Sequence, residues 1–224
     1  MHGAELMARF LDVSADELHS AFDLADPLEE RRFYSVDNVI TVLKAAARTE
    51  GERRVLLDGF GKMVAFDALV GAPDRHALNW GIVEVTSDPS KAWCFAPLFD
   101  SARGLFWQYP DSHLLDGMKP DKAGEFIKKY AEKSRPVFSC SGSKGGHSAN
   151  HFDLVGYCLE NYDDDVGRPI RHMVRIFSVR RIEAMLRFTF GRILTPIRRR
   201  AILELLRYRH QRLKVIIQAS EVVT

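Results

Sequence analysis

The sequence predicts a mainly α-helical chain with one small β-hairpin, an α+β fold gathered into a single lobe. Helical spacing of apolar residues recurs along most of the chain, two short extended runs flank one turn, and neither a repeat nor a low-complexity linker interrupts them. The 224 residues are 46% hydrophobic and 28% charged, which is the composition of an ordinary globule and excludes collagen-like and disordered classes. No run approaches the ~18 uncharged apolar residues of a membrane span. Glu5, Arg9 and Asp12 stand where a secretory signal needs an unbroken apolar stretch. A cytosolic protein without a membrane partner is the expectation.

The elements follow in chain order. Ser14-Ala-Asp-Glu17 has the form of a capping box ahead of Leu18, Phe22 and Leu24, and Ser35 precedes the amphipathic run Val36, Val39, Ile40, Val42, Leu43. From Glu52 to Gly71 apolar residues spread around much of the circumference, so a helix buried on several sides is expected despite Gly59 and Gly61. After Pro73 come Trp80–Thr86, a Ser-Asp-Pro-Ser turn at 87 to 90, and Lys91–Phe99, which together read as a hairpin. Residues 101 to 120 read as irregular and Lys122–Ser134 as a charged helix. His151–Tyr162, Pro169–Phe190 and Pro196–Gln218 read as helices, two of them opened by a proline. Cys94, Cys140 and Cys158 are widely spaced and odd in number, so each is expected to be a small buried hydrophobe rather than half of a disulfide.

The net charge of +2 conceals an asymmetry. Residues 1 to 165 carry 18 Lys+Arg against 27 Asp+Glu, whereas 166 to 214 carry 14 against 2. Such a basic block meets nucleic acid, an acidic partner, or the acidic remainder of its own chain.

Chemistry concentrates where a buried helix breaks at Gly71 and Pro73 and polar residues precede a strand. Asp74 and Asn79 stand five apart there, and Asp100 follows the second arm of the hairpin. Taken alone, Asp74 and Asn79 read as turn formers. Helix, D-x-x-x-x-N loop, hairpin and a further Asp is also the order of a phosphoryl-transfer core. One carboxylate orients the attacking hydroxyl and accepts its proton, while an amide oxygen and a second carboxylate, both hard ligands, hold Mg²⁺ on nucleotide phosphates.

The fuller string is more specific. Phe-Asp-x-Leu at 66 to 69, Asp-Arg-His-x-x-Asn-Trp-Gly at 74 to 81 and Pro-Leu-Phe-Asp-Ser-Ala-Arg-Gly-Leu at 97 to 105 resemble the HipA family of serine/threonine kinases, toxin components of bacterial toxin–antitoxin systems. The resemblance is sharp over about residues 60 to 106 and extends loosely to about 160, where Ser141–Leu154 ends in His-Phe-Asp-Leu. It implies a protein-kinase-like C-lobe with a HipA-type helical bundle, ATP and Mg²⁺ as cofactors, and a protein Ser/Thr hydroxyl as substrate. Carried over by position, Asp74 is the catalytic aspartate, Asn79 and Asp100 the Mg²⁺ ligands, His76 a neighbour of the nucleotide phosphates, and Phe99 the residue beside the metal carboxylate. Arg75 is expected to pair with Asp67 and brace the loop. One lobe over residues 1–224 follows, with a catalytic core over about 52–106 and a helical bundle over about 121–218.

The sequence departs from that family ahead of the core. Only 73 residues precede Asp74 and they read as helical, without a glycine-rich nucleotide loop or a strand-borne lysine, since neither Lys44 nor Lys62 lies in a strand pattern. The nucleotide-binding N-lobe is therefore expected to be missing or supplied in trans by another subunit. A DNA-binding antitoxin and DNA itself are the partners expected for the basic C-terminal helices. The alternative is a catalytically inactive binding module that keeps the fold and uses those helices.

Weaker signals read as structure. Ser141-Gly-Ser-Lys-Gly-Gly146 lacks P-loop spacing and reads as a loop, and His147, His151 and Asp153 read as polar residues of a helix start rather than metal ligands. Trp80, Trp93 and Trp107 read as core or cleft wall. In the last helix Ile202, Leu206, Leu213 and Ile217 form an apolar stripe, and Arg200, Arg207 and Lys214 a basic one.

Overall fold

The computed structural model describes residues 1–11, 14, 34–84, 87–88, 90–101, 103–137, 139–141 and 149–223. Among them the helices are α1 (Gly3–Leu11), α2 (Val36–Ala46), α3 (Glu50–Val70), α4 (Asp111–Gly117), α5 (Ala123–Lys133), α6 (His151–Asn161), α7 (Arg168–Ile176), α8 (Val179–Phe188) and α9 (Pro196–Val223). Strands β1 (Ile82–Val83) and β2 (Cys94–Phe95) separate α3 from α4, and a π-helical turn (Asp163–Gly167) leads into α7. The expected mainly α architecture with one small antiparallel sheet is what the chain adopts.

Helix starts follow their caps. The Ser35 hydroxyl accepts from Asn38 N at 3.2 Å to open α2, and Thr49 accepts from Glu52 N at 3.1 Å to open α3. Asn150 and Asp153 form a reciprocal capping box at α6, which assigns Asp153 to a helix start as the sequence suggests. The Ser14–Glu17 box lies outside the described residues apart from Ser14, as do residues 142 to 148 with His147 and most of the glycine-rich loop.

Helix α3 runs through the middle, packed by α2, α6, α7, α9, the π-helical turn and β2. Its buried Leu56, Phe60, Met63, Val64 and Leu69 point in several directions, which explains its lack of a single apolar face. Gly61 lets Val166 and Pro169 approach closely, since a Cβ there would lie 2.7 Å from Pro169 Cγ and 2.9 Å from Val166 O. The stripe Ile202, Leu206, Leu213, Ile217 of α9 is buried, and Arg200, Arg207 and Lys214 are exposed.

Five expectations need correction. Asp111–Gly117 is helical where an irregular stretch was expected, because Pro110 opens a short turn whose Leu114 reaches the core. The run Pro169–Phe190 is two helices, broken at Phe177 and restarted where the Ser178 hydroxyl accepts from Arg181 N. Among the described residues the hairpin pairs Ile82 with Phe95 and Val83 with Cys94, and Cys94 is exposed rather than buried. The chain start is not helical throughout. Met1 and His2 pair antiparallel with β1, with Met1 N donating to Ile82 O at 3.2 Å and Ile82 N to Met1 O at 3.0 Å. No helix among the described residues is long and apolar enough to cross a membrane.

Candidate functional site

Asp74 enters the site through a helix ending. α3 stops at Gly71, which adopts the left-handed conformation (φ 70°, ψ 44°), and Gly71 N and Ala72 N both donate to Asp67 O. The chain leaves the helix sharply there, carrying residues 74 to 79 toward the hairpin. α1 supports that loop from below, with Gly3 N donating to Trp80 O at 2.9 Å and Ala4 N to Ala77 O at 3.0 Å.

Arg75 organises the site. Its side chain is 1% exposed and forms the expected ion pair with Asp67, Nε to Oδ2 at 2.9 Å and Nη2 to Oδ1 at 3.0 Å. Nη1 donates to Asn79 O at 2.8 Å and to Phe99 O at 2.6 Å, and Nη2 to Ser101 Oγ at 2.7 Å. A guanidinium has five N–H donors, and all five are engaged. The acceptors lie on α3, on the loop and on both neighbours of Asp100. Burial works against the Arg75 charge, yet hydrogen bonding and the charge of Asp67 outweigh it, so Arg75 holds its proton more firmly than usual. Burial pushes the Asp67 carboxyl upward while Arg75 opposes the shift.

Each expected site residue has a defined place. Asn79 is 5% exposed and donates Nδ2 to Asp74 O at 2.8 Å, which leaves Oδ1 as its hard-ligand atom. His76 is half-buried, and its Nδ1 accepts from Leu78 N at 3.3 Å, so Nε2 carries the proton and Asn79 N donates to His76 O. Phe99 is exposed, lies edge-on to the His2 ring at 6.1 Å, and serves Arg75 with its carbonyl. Asp100 is exposed at φ 48°, a conformation that costs a non-glycine residue about 1 kcal/mol or more and persists where the surroundings impose it. The Arg75 bonds on either side of Asp100 are that imposition. Asn79 and Asp100 are thus joined through Arg75, and an amide oxygen with an accessible carboxylate is a donor set suited to Mg²⁺.

Arg103 was not foreseen. Its Nε lies 3.1 Å from Asp74 Oδ2 and its Nη1 donates to Asp74 Oδ1 at 3.2 Å, while its Cζ sits 5.4 Å from the exposed Trp107 ring. Both oxygens of the candidate base are engaged by a cation 29 positions further along the chain, a pairing that spacing alone does not reveal. The segment that carries Arg103 is firmly anchored. Gly104 passes against Val70 O, Leu105 N donates to Val70 O at 3.3 Å, and Phe106 N donates to Tyr130 Oη at 2.9 Å. Leu105 and Phe106 both have positive φ (57° and 65°), held by Arg198 on the Phe106 and Tyr109 carbonyls, by the stacked ring of Phe126 and by the tilted ring of Tyr130.

No family model matches the chain, and no curated protein matches it. Among the solved structures that match is the crystal structure of a Helicobacter pylori proinflammatory kinase, CtkA, with a TM-score of 0.75 at 15% identity, covering 100% of this chain and 68% of that one. The chain therefore has a kinase-like fold.

Proposed function

We propose that the chain is the catalytic lobe of a HipA-like serine/threonine protein kinase, transferring the γ-phosphate of ATP to a protein hydroxyl as the toxin part of a toxin–antitoxin pair. Arg75 is the observation that carries this reading: one buried side chain fixes Asn79 and both neighbours of Asp100 to α3, an investment in holding two hard-oxygen ligands relative to a carboxylate at Asp74. The kinase-like fold supports it.

In this reading Asn79 Oδ1 and Asp100 hold Mg²⁺, His76 lies beside the nucleotide phosphates, and Phe99 flanks the metal carboxylate. Bound Mg²⁺ neutralises phosphate charge, and ATP supplies the phosphoryl group. Asp74 positions the substrate hydroxyl and takes its proton as that oxygen gains the phosphoryl group and ADP departs. Arg103 orients Asp74 by contacting both of its oxygens, each of which keeps a further lone pair for the substrate hydroxyl. The glycine loop and lysine that would clamp the phosphates lie outside the core, on another segment or subunit. ATP affinity of these residues alone is accordingly low and transfer slow, since positioning and electrostatic clamping supply most of the rate.

Calorimetric titration with Mg·ATP tests the reading. Binding should require Mg²⁺, be lost in Asp100→Ala and be retained in Asp74→Asn. Heat that is indifferent to Mg²⁺ and to Asp100→Ala, or no heat at millimolar nucleotide, contradicts it.

A further inference from the structure

Helix α8 and the turn to α9 are poorly buried for their apolar content. Of residues 179 to 188 only Leu186 is fully buried, joining Ile202 and Leu206 of α9 in a small apolar cluster separate from the main core. Phe188 (79% exposed), Ile193 (75%), Met185 and Phe190 lie outward. The turn is nonetheless held in one shape, since Arg199 Nη1 donates to Gly191 O at 2.8 Å and to Leu194 O at 2.7 Å.

Charge around this apolar patch has one sign. Arg180, Arg181, Arg187, Arg192 and Arg200 are exposed, and the lone acid between residues 176 and 200, Glu183, faces Arg207 at 3.4 Å. The cations are chosen by type as well. Residues 166 to 213 contain thirteen arginines and no lysine, whereas residues 1 to 165 hold nine of each. Solvated faces have no reason to reject lysine, but protein interfaces enrich arginine and aromatics and deplete lysine, because the planar guanidinium pairs with carboxylates and stacks on rings. Arg187 already lies 5.5 Å from the Phe188 ring centroid.

The patch adjoins the site. Leu105 packs into the α8–α9 cluster, and two residues earlier Arg103 holds Asp74, a chain separation of at most about 7 Å between Cα atoms. A segment long enough to run past α8 can therefore reach the Arg103–Asp74 pair.

We propose that α8 and the α8–α9 turn dock an acidic protein segment, with Phe188 and Ile193 in its apolar residues and Arg181, Arg187 and Arg192 on its carboxylates, and that this segment flanks the hydroxyl presented to Asp74. The identity of the docked segment as substrate rests on the kinase reading; the docking itself does not. Nucleic acid fits less well, because a phosphate backbone offers nothing to bury Ile193 and Met185, and a lipid surface would have no reason to adjoin Asp74.

An array of random-sequence peptides, probed with the full chain in the absence of nucleotide, tests the docking. Retained peptides should be enriched in Asp and Glu beside Phe, Leu or Ile. Phe188→Ser with Ile193→Ser should weaken retention at least about tenfold, as for a pair of anchor residues, and Arg181→Glu with Arg187→Glu and Arg192→Glu should invert the preference toward basic peptides. These residues are exposed and their replacement leaves the core intact, which the calorimetric Mg·ATP titration verifies in the same variants. Absence of acidic enrichment, an unaltered preference after charge reversal, or binding of single-stranded DNA or phosphatidylserine vesicles lost in these variants in place of peptide binding would overturn the proposal. Acidic peptides retained by a chain that ignores Mg·ATP would leave the docking surface standing and remove the kinase reading.

Discussion

Arg75 shows how much one side chain can set. A lysine at this position would bring one point charge and three donors to a place where five acceptors on three separated segments converge. Its pairing with Asp67 is legible in the sequence, because a carboxylate within an apolar helix needs a partner, but its bonds to Asn79 O, Phe99 O and Ser101 Oγ are not, since backbone carbonyls leave no trace in composition. Arg75→Met strands Asp67 without a partner in the interior and should lower stability by about 3–5 kcal/mol, whereas adding Asp67→Leu should restore part of that loss. Urea denaturation of the two single variants and the double variant checks this. Additive losses would show that the two residues are not coupled. Arg103 and Arg209 were illegible too: in a chain rich in arginine only the fold decides which guanidinium meets Asp74 at the surface and which is drawn inward.

At the scale of elements, polar side chains fasten the ends of helices to one another. Arg209 is fully buried and donates to Ala68 O at 2.6 Å and Ala131 O at 2.9 Å, in the last turns of α3 and α5, where helix dipoles favour a cation. Burial lowers its pKa to about 10, still well above neutrality. At the other end of α3, Glu52 accepts from Arg48 N at 2.8 Å, from the Arg48 guanidinium, and from Trp93 N at 2.9 Å, tying the helix start to the second arm of the hairpin. The Arg48 hydrogen bonds hold its carboxyl at about 2, below the ordinary value of 4.5, against the upward push of burial. A carboxylate depressed by folding contributes stability that is complete above its ordinary pKa and lost as pH falls through the folded one. The wild-type chain should therefore lose stability between about pH 4.5 and pH 2, and Glu52→Gln should be less stable at neutral pH and lack that part of the acid dependence. Trp93 fluorescence during acid and urea titrations reads both. An unchanged acid slope in Glu52→Gln would contradict the assignment.

Over the whole molecule, the fold was legible where periodicity and caps agreed. Ser35 and the apolar spacing of α2, α3 and α9 marked their helices, while the break at Phe177 was hidden because apolar spacing runs on through it and only Ser178 signals a restart. The order of Asp74, Asn79 and Asp100 along the chain was readable as well, and Arg75 bonds the Asn79 carbonyl and both neighbours of Asp100. What spacing could not convey is the third dimension: the N-terminal pairing of Met1 with Ile82, the arginine on Asp74, and the apolar, arginine-flanked patch at α8.

In the proposed kinase, Arg75 makes Asn79 and Asp100 one cation site. Paramagnetic relaxation by Mn²⁺ in the presence of ATP, read on the ¹⁵N-labelled chain, measures this even at weak affinity. Selective broadening of the Asn79 side-chain amide and the Asp100 backbone amide is expected, abolished in Asp100→Ala. Broadening centred elsewhere, or broadening at Asn79 that survives Asp100→Ala unchanged, would contradict it.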